Sequence, residues 1–172
     1  VVALGAGISM TEERAAETVV ENRNSLKSLY VDGVLKPSTK GWSEALPSPR
    51  WISLEGTGGY YFPQPSTVNA MRDYNGFTQL YFDHGTSPEN EGYAYVLLPS
   101  STREETEAYA ARPEIEVVCN TDNIQAVRET GLRVMGINFW QAGQVDDIVC
   151  DAPAAVMVRE DRGMLYVSLA DP

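Results

Sequence analysis

With 172 residues, 43% of them hydrophobic and 22% charged, the chain has the make-up of one globular domain with a real core and is marginal for two. No apolar run approaches the roughly 20 residues needed to span a bilayer, and the opening Val1-Val2-Ala3-Leu4 lacks the basic region and cleavage site of a signal peptide. The net charge of −11, with 24 acidic against 13 basic residues and Arg50 and Arg72 standing alone, on average repels nucleic acid, anionic lipid and acidic polysaccharide.

The chain does not start with Met and opens on an apolar run, as a piece of a longer sequence would. Residues 1–4 predict a short strand broken by Gly5-Ala6-Gly7, and the β-branched stretch 17–21 predicts a second. Residues 26–31 predict a third, closed by the turn pair Asp32-Gly33. Residues 36–49 hold three prolines with several Ser, Thr and Gly, and predict a long surface loop. Residues 50–55 alternate polar and apolar, as a half-buried strand does. After Gly56-Thr57-Gly58-Gly59, strands are expected at 60–62, 77–82 and 93–98, the last two flanking a loop from Asp83-His84-Gly85 to Gly92.

One helix is expected over 102–111, with Ser101 and Glu104 forming a capping box and Pro113 beyond its end. Strands follow at 115–119, 124–128, 132–139, 154–160 and 164–170, with Thr130-Gly131 and Arg162-Gly163 as turns; Ile148-Val149-Cys150 also reads as strand. About eleven short strands and one helix make an all-β, antiparallel sandwich pattern. No linker is visible, so 1–172 reads as a single segment.

The only histidine is His84, beside Asp83. Neighbours on a strand point to opposite faces, so Asp83 does not readily orient His84, and a structural role fits it better than acid/base work. There is no Gly-x-Ser-x-Gly elbow and no zinc spacing. Asp146-Asp147 and Asp161 offer oxygen ligands without a calcium-loop pattern. The glycine clusters precede no helix start of the phosphate-cradling kind. Trp51 and Trp140 are read as lying in strands and as core, whereas Trp42, in the Pro-rich loop, is the candidate exposed aromatic. Cys119 and Cys150 both fall in expected strands; a cross-strand disulfide and two small buried thiols both remain open. No catalytic, cofactor-binding or metal-binding residue is assigned, and the substrate-binding residues are unknown.

Several stretches, in order and spanning almost the whole chain, resemble one family. They are Val2-Ala3-Leu4-Gly5-Ala6-Gly7-Ile8-Ser9, Glu17-Thr18-Val19-Val20-Glu21-Asn22-Arg23, and Asp83-His84-Gly85 with Pro88 leading to Tyr93-Ala94-Tyr95-Val96-Leu97-Leu98-Pro99. Gln125-Ala126-Val127-Arg128 and Asn138-Phe139-Trp140 complete the set. Together they are similar to the bacterial lyases acting on hyaluronate, chondroitin and xanthan, polysaccharide lyase family eight.

The resemblance implies a helical catalytic toroid, a central antiparallel supersandwich and a last small β domain. It places this chain in the later part of the supersandwich, with the change of domain at Asp171-Pro172. It further implies β-elimination at a uronic acid: the C5 proton is removed and the 4-linked oxygen leaves. The reaction needs a group neutralising the carboxylate, a base and an acid. The family places the Asn, His, Tyr and Arg for this work on the toroid, so no catalytic residue carries over and His84 belongs to a β-domain motif. Between Met71-Arg72 and Phe77 the family has a longer segment, with a Gly-x-Trp element and an Ile-Asn pair. Here only Asp73-Tyr74-Asn75-Gly76 intervene, so no substrate contact is assigned to this region.

The chain is therefore expected to be the non-catalytic β-sandwich portion of a secreted lyase, inactive alone. Its parent is expected to cut hyaluronate first, then chondroitin or xanthan, without a cofactor. The expected partners are the remainder of the parent, including its helical catalytic domain, and acidic polysaccharide through that parent, with no nucleic acid and no membrane. A fragment of a large sandwich leaves open strand edges and an uncovered apolar face, which the rest of the parent would cover. The alternatives are a free-standing carbohydrate-binding module and a small enzyme using Asp83 and His84.

Overall fold

The fold comes from a computed structural model that describes residues 1–171. Pro172, the far side of the expected change of domain, lies outside the described residues. Seventeen strands and one α-helix are present among the described residues. They form two compact units: Val1–Ala3 with Ile8–Arg112, and Leu4–Gly7 with Pro113 onward. The single segment expected from the sequence is thus two, and the change falls at Arg112-Pro113. This junction carries no Gly/Ser-rich linker composition to betray it.

The first unit holds two antiparallel sheets. One runs β1(Val2–Ile8), β10(Glu91–Pro99), β7(Gly58–Tyr61), β6(Trp51–Leu54), β3(Leu29–Val31), β4(Val34–Leu35) in spatial order. The other runs β2(Ala15–Asn24), β9(Phe77–Thr86), β8(Thr67–Arg72), β5(Ser43–Pro47). Their core joins Leu29, Ile52, Leu54, Tyr60 and Phe62 to Leu46, Val68, Leu80 and Phe82. Alternation makes this possible: in β9 residues 78, 80 and 82 are buried and their neighbours are not.

Several expectations are corrected here. β5 falls inside the expected 36–49 loop, because Glu44 and Leu46 alternate inward despite the flanking prolines. β8 was not expected at all. β6 is buried on both faces rather than half-buried, since the helix covers its second face. β1 runs straight through Gly5-Ala6-Gly7. β9 and β10 extend into the expected loop, which shrinks to a tight connection around Ser87 and Asn90, both in the left-handed region. The Asp32-Gly33 turn forms, with φ of +46° and +84°.

The helix, α1(Arg103–Ala111), starts one residue later than expected. Thr102 is its N-cap. The Thr102 hydroxyl accepts from the Glu105 amide at 3.2 Å, and the Glu105 carboxylate accepts from the Thr102 amide at 2.8 Å. Ser101 instead bonds the Leu98 carbonyl oxygen at 3.0 Å and lies 2.9 Å from the Thr106 hydroxyl. Arg50 fastens the far end of the helix, donating from Nη2 to the Ala110 carbonyl oxygen at 2.7 Å.

The second unit has a five-stranded antiparallel sheet, β11(Ile115–Asn120), β12(Ile124–Glu129), β13(Val134–Phe139), β16(Ala154–Asp161), β17(Met164–Ala170), and a ribbon of β14(Gly143–Val145) and β15(Ile148–Cys150). Ala126, Ile137, Phe139, Val145, Ala154 and Val156 form its core, with Ile124 and Ile148 packed against them. β17 matches its expected bounds. Its turn, Arg162-Gly163, has positive φ at both residues, as a two-residue hairpin requires.

Candidate functional site

The chemistry-bearing side chains of the first unit gather between β2, β9, β10 and β7. His84 follows Leu80 and Phe82 on the inward face of β9 and is half-buried. Its Nε2 lies 2.8 Å from the Thr18 hydroxyl on β2, and its ring centroid lies 6.4 Å from that of Tyr93. Asp83 points outward and accepts the Gly85 amide at 2.8 Å. The Asp83 carboxylate is therefore engaged by the Gly85 amide within β9 and does not meet His84.

Next to this pair runs a row of rings. Phe82 stacks on Tyr93 at 5.9 Å, Tyr93 neighbours Tyr95 at 6.1 Å, and Phe62 meets Phe82 edge-on at 6.0 Å. At the end of the row Tyr60 donates its hydroxyl proton to Glu21 Oε2. Arg23 Nε reaches the same oxygen at 3.4 Å, and the Asn22 amide donates to Oε1 at 2.9 Å. Burial pushes the Tyr60 phenol far above its ordinary range, and the bond to and charge of Glu21 push it further. Burial raises the Tyr95 phenol too, with Tyr93 and Glu21 adding to the shift.

The sequence gives no hint of Glu21. Strict alternation would turn it outward with Val19. A β-bulge between Val19 and Glu21 resets the register, pairing Val19 with Tyr81 and Glu21 with Leu80, and swings the carboxylate inward. The resulting cluster holds two bonded sets, Thr18 with His84 and Tyr60 with Glu21 and Arg23, with the rings of Tyr93 and Tyr95 beside them. An imidazole meets the Thr18 hydroxyl and a carboxylate holds the Tyr60 hydroxyl.

The other residues singled out in the sequence scatter. Arg72 is fully buried, bonding main-chain oxygens of residues 25 and 27, and forms no basic patch with Arg50. Asp146 is paired with Arg128, which also holds Glu116, and Asp161 lies 3.9 Å from Arg159. Among the described residues no three His, Cys, Asp or Glu side chains are placed to hold a metal ion.

Gly58 and Gly59 are packing residues. A side chain at 58 would meet the Leu98 carbonyl oxygen at 2.4 Å, and one at 59 the Thr106 hydroxyl at 2.1 Å. Cys119 and Cys150 are both unpaired; their thiols donate to the carbonyl oxygens of Ile124 and Ala152 at 3.4 and 3.2 Å. The tryptophans correct the sequence reading in two places. Trp51 is core, but Trp42 is half-buried against the first core, and Trp140, expected as core, is half exposed. Trp140 sits one residue past Phe139, where β13 ends and the chain turns its indole to the outer face.

Comparison with known proteins places these features in a lineage. Residues 1–76 match the super-sandwich domain of polysaccharide lyase family 8, and residues 116–172 match the C-terminal beta-sandwich domain of the same family. The second match covers the second structural unit, whereas the sequence reading put the change of domain at Asp171-Pro172. A hyaluronate lyase of Thermasporomyces composti is 33% identical over 195 aligned positions, taking in all of this chain and 25% of that protein. A xanthan lyase of Bacillus sp. (strain GL1) is 33% identical over 205 positions, taking in all of this chain and 22% of that protein. Among solved structures, a Paenibacillus xanthan lyase superimposes with a TM-score of 0.93 and 36% identity, over 99% of this chain and 20% of its own. The chain thus spans about a quarter or less of the length of these relatives.

Proposed function

Since this chain belongs to polysaccharide lyase family 8, we propose that it is the non-catalytic β-sandwich portion of a secreted lyase that cleaves a uronic-acid-containing polysaccharide by β-elimination. In this reading residues 1–112 are the later part of the central supersandwich, and the rest enters the small C-terminal sandwich. Hyaluronate is the first substrate, ahead of chondroitin and xanthan. The partner is the remainder of the parent, with its helical catalytic domain.

The observation that carries the reading is the end-to-end match to lyases of which this chain is a minor share. The site geometry agrees with it. A base for the C5 proton must reach the substrate, and His84 is half-buried and engaged with Thr18 and the ring of Tyr93. The acidic balance of the chain also suits a structural wall better than a cleft that must attract a polyanion.

The test is an absorbance assay for the unsaturated uronide on hyaluronate, chondroitin and xanthan. It uses the full-length polypeptide that contains this chain, with the host's culture medium and cells assayed separately. Activity in the medium that survives His84→Ala supports the reading. Loss of turnover in a folded His84→Ala protein would transfer the chemistry to this segment. Glycan binding with no lyase product on any of the three polymers would leave a carbohydrate-binding module.

A further inference from the structure

On the outer face of the five-stranded sheet of the second unit, one row of side chains crosses all the strands. The ladder pairs Asn120 with Gln125, Gln125 with Asn138, Asn138 with Ala155, and Ala155 with Ala170. Ile124, Ala126, Ile137, Phe139, Ala154 and Val156 take the core side, so this row and the one beside it face away from the core. The half-exposed Trp140 stands at this face.

The indole is fixed by a relay of three hydrogen bonds. Trp140 Nε1 donates to Gln125 Oε1 at 3.3 Å, Gln125 Nε2 donates to Asn120 Oδ1 at 3.3 Å, and Asn120 Nδ2 donates to the Gly5 carbonyl oxygen at 3.2 Å. An exposed indole held for packing needs no such relay. This one has its ring plane set in advance, which lowers the entropy lost when something stacks on it.

The surroundings are low and polar. Gly136 is on the same face, with nothing within 4 Å of where a side chain would start, and Ala155 and Ala170 continue the row. Asn138 is exposed beside Gln125. Beyond the bonds in the relay, the Gln125 amide keeps one further donor and one further acceptor position.

From this arrangement we infer that Trp140, Gln125 and Asn138 form a sugar-binding surface, on which an uncharged pyranose unit of the polysaccharide stacks. An apolar ring face and a set of neutral donors and acceptors meet what a pyranose presents: C–H bonds on its faces and hydroxyl groups at its rim. The row has no cationic side chain, so it selects a neutral unit of the chain rather than a carboxylate or phosphate. Its use is to hold long substrate while the catalytic part works. The inference rests on the proposal that the parent acts on polysaccharide.

The experiment compares polymeric hyaluronate with a hyaluronate tetrasaccharide, using the full-length polypeptide and its Trp140→Ala and Asn138→Ala variants. Trp140→Ala is expected to raise KM for the polymer by roughly three- to tenfold, the worth of one aromatic contact. Its kcat and its kinetics on the tetrasaccharide should match the parent. Asn138→Ala, at an exposed position, is expected to raise the polymer KM by about twofold, a weak single hydrogen bond, and serves where Trp140→Ala does not fold. Unchanged polymer KM in the folded variants overturns the inference, as does an equal loss on polymer and tetrasaccharide. A polypeptide with no lyase activity would defeat the proposed function alone. Retardation of parent and variants in hyaluronate-containing and xanthan-containing gels would then decide the site: weaker retardation of the variants supports it and equal retardation overturns it.

Discussion

Arg72 and Ser25 meet across 47 residues of sequence, the guanidinium Nη1 donating to the Ser25 carbonyl oxygen at 3.0 Å. Nη2 donates to the Lys27 carbonyl oxygen at 2.6 Å, and the Thr78 hydroxyl completes the group. One buried cation thus satisfies the main chain between β2 and β3. Removing it strands the Lys27 carbonyl oxygen, at a cost of about 1–3 kcal/mol, and leaves the Ser25 carbonyl oxygen to the Thr78 hydroxyl alone. Arg72→Leu is expected to lower stability by roughly 1–3 kcal/mol, and Arg72→Lys to recover little, because an ammonium lacks the fork that spans both oxygens. Urea unfolding checks this: the midpoint should fall with the slope unchanged.

Tyr60 contributes to the alkaline limit of the first unit. Its phenol, buried and bonded to Glu21, titrates far above the ordinary 10.0 in the folded state. The stability this confers is complete below pH 10 and is lost as pH rises above it, because the unfolded chain ionises there and the folded one does not. The loss is about 1.4 kcal/mol per pH unit from this residue. Tyr60→Phe should flatten that decline, and tyrosinate absorbance should show Tyr60 ionising only with unfolding.

Thr102, not Ser101, caps the helix. Thr102→Ala is expected to cost about 1 kcal/mol. The local sign is faster hydrogen exchange at the Glu105 amide, the proton the hydroxyl accepts. A Ser101→Ala protein should keep that amide protected, since Ser101 bonds elsewhere.

Gly59 lies against buried Thr106, where a methyl group would sit 2.1 Å from the hydroxyl oxygen. Gly59→Ala should destabilise by roughly 1–3 kcal/mol through overpacking. Gly59→Ala combined with Thr106→Ala should regain part of that loss, because the clash is with Thr106 itself. Thermal unfolding of both variants reads the difference.

Cys119 and Cys150 are free thiols in separate strands of the second unit. Alkylation of unfolded, unreduced protein should add two labels, seen by intact mass. Reductant should leave the unfolding midpoint where it was.

How far the sequence alone reaches depends on what each element rests upon. β17 and the Asp32-Gly33 and Arg162-Gly163 turns are set by local chemistry, alternation and left-handed backbone, and are legible. β5 hides because Pro47 and its neighbours mimic a loop, while its strand character comes from pairing with β8. The inward Glu21 hides because a bulge is a register event between strands, with no residue type that announces it. Trp140 misleads because it follows the inward-facing Phe139, and alternation carries it to the outer face. Family resemblance is legible from ordered motifs, but the split at Arg112-Pro113 is not, because the connection there is short and ordinary in composition.

β17 is the last strand of its sheet, and all seven of its residues are exposed. Leu165, Val167 and Leu169 share the core side with Val158 and Val156, through the pairs Val158–Val167 and Val156–Leu169. The strand has no proline and no charged residue to discourage a stranger. For anyone handling the segment by itself, this sets a practical ceiling on concentration. The first contact in a failing preparation would join β17 of one molecule to β17 of the next. A lysine placed at Val167 would delay clouding more than the same residue placed on a strand paired along both edges.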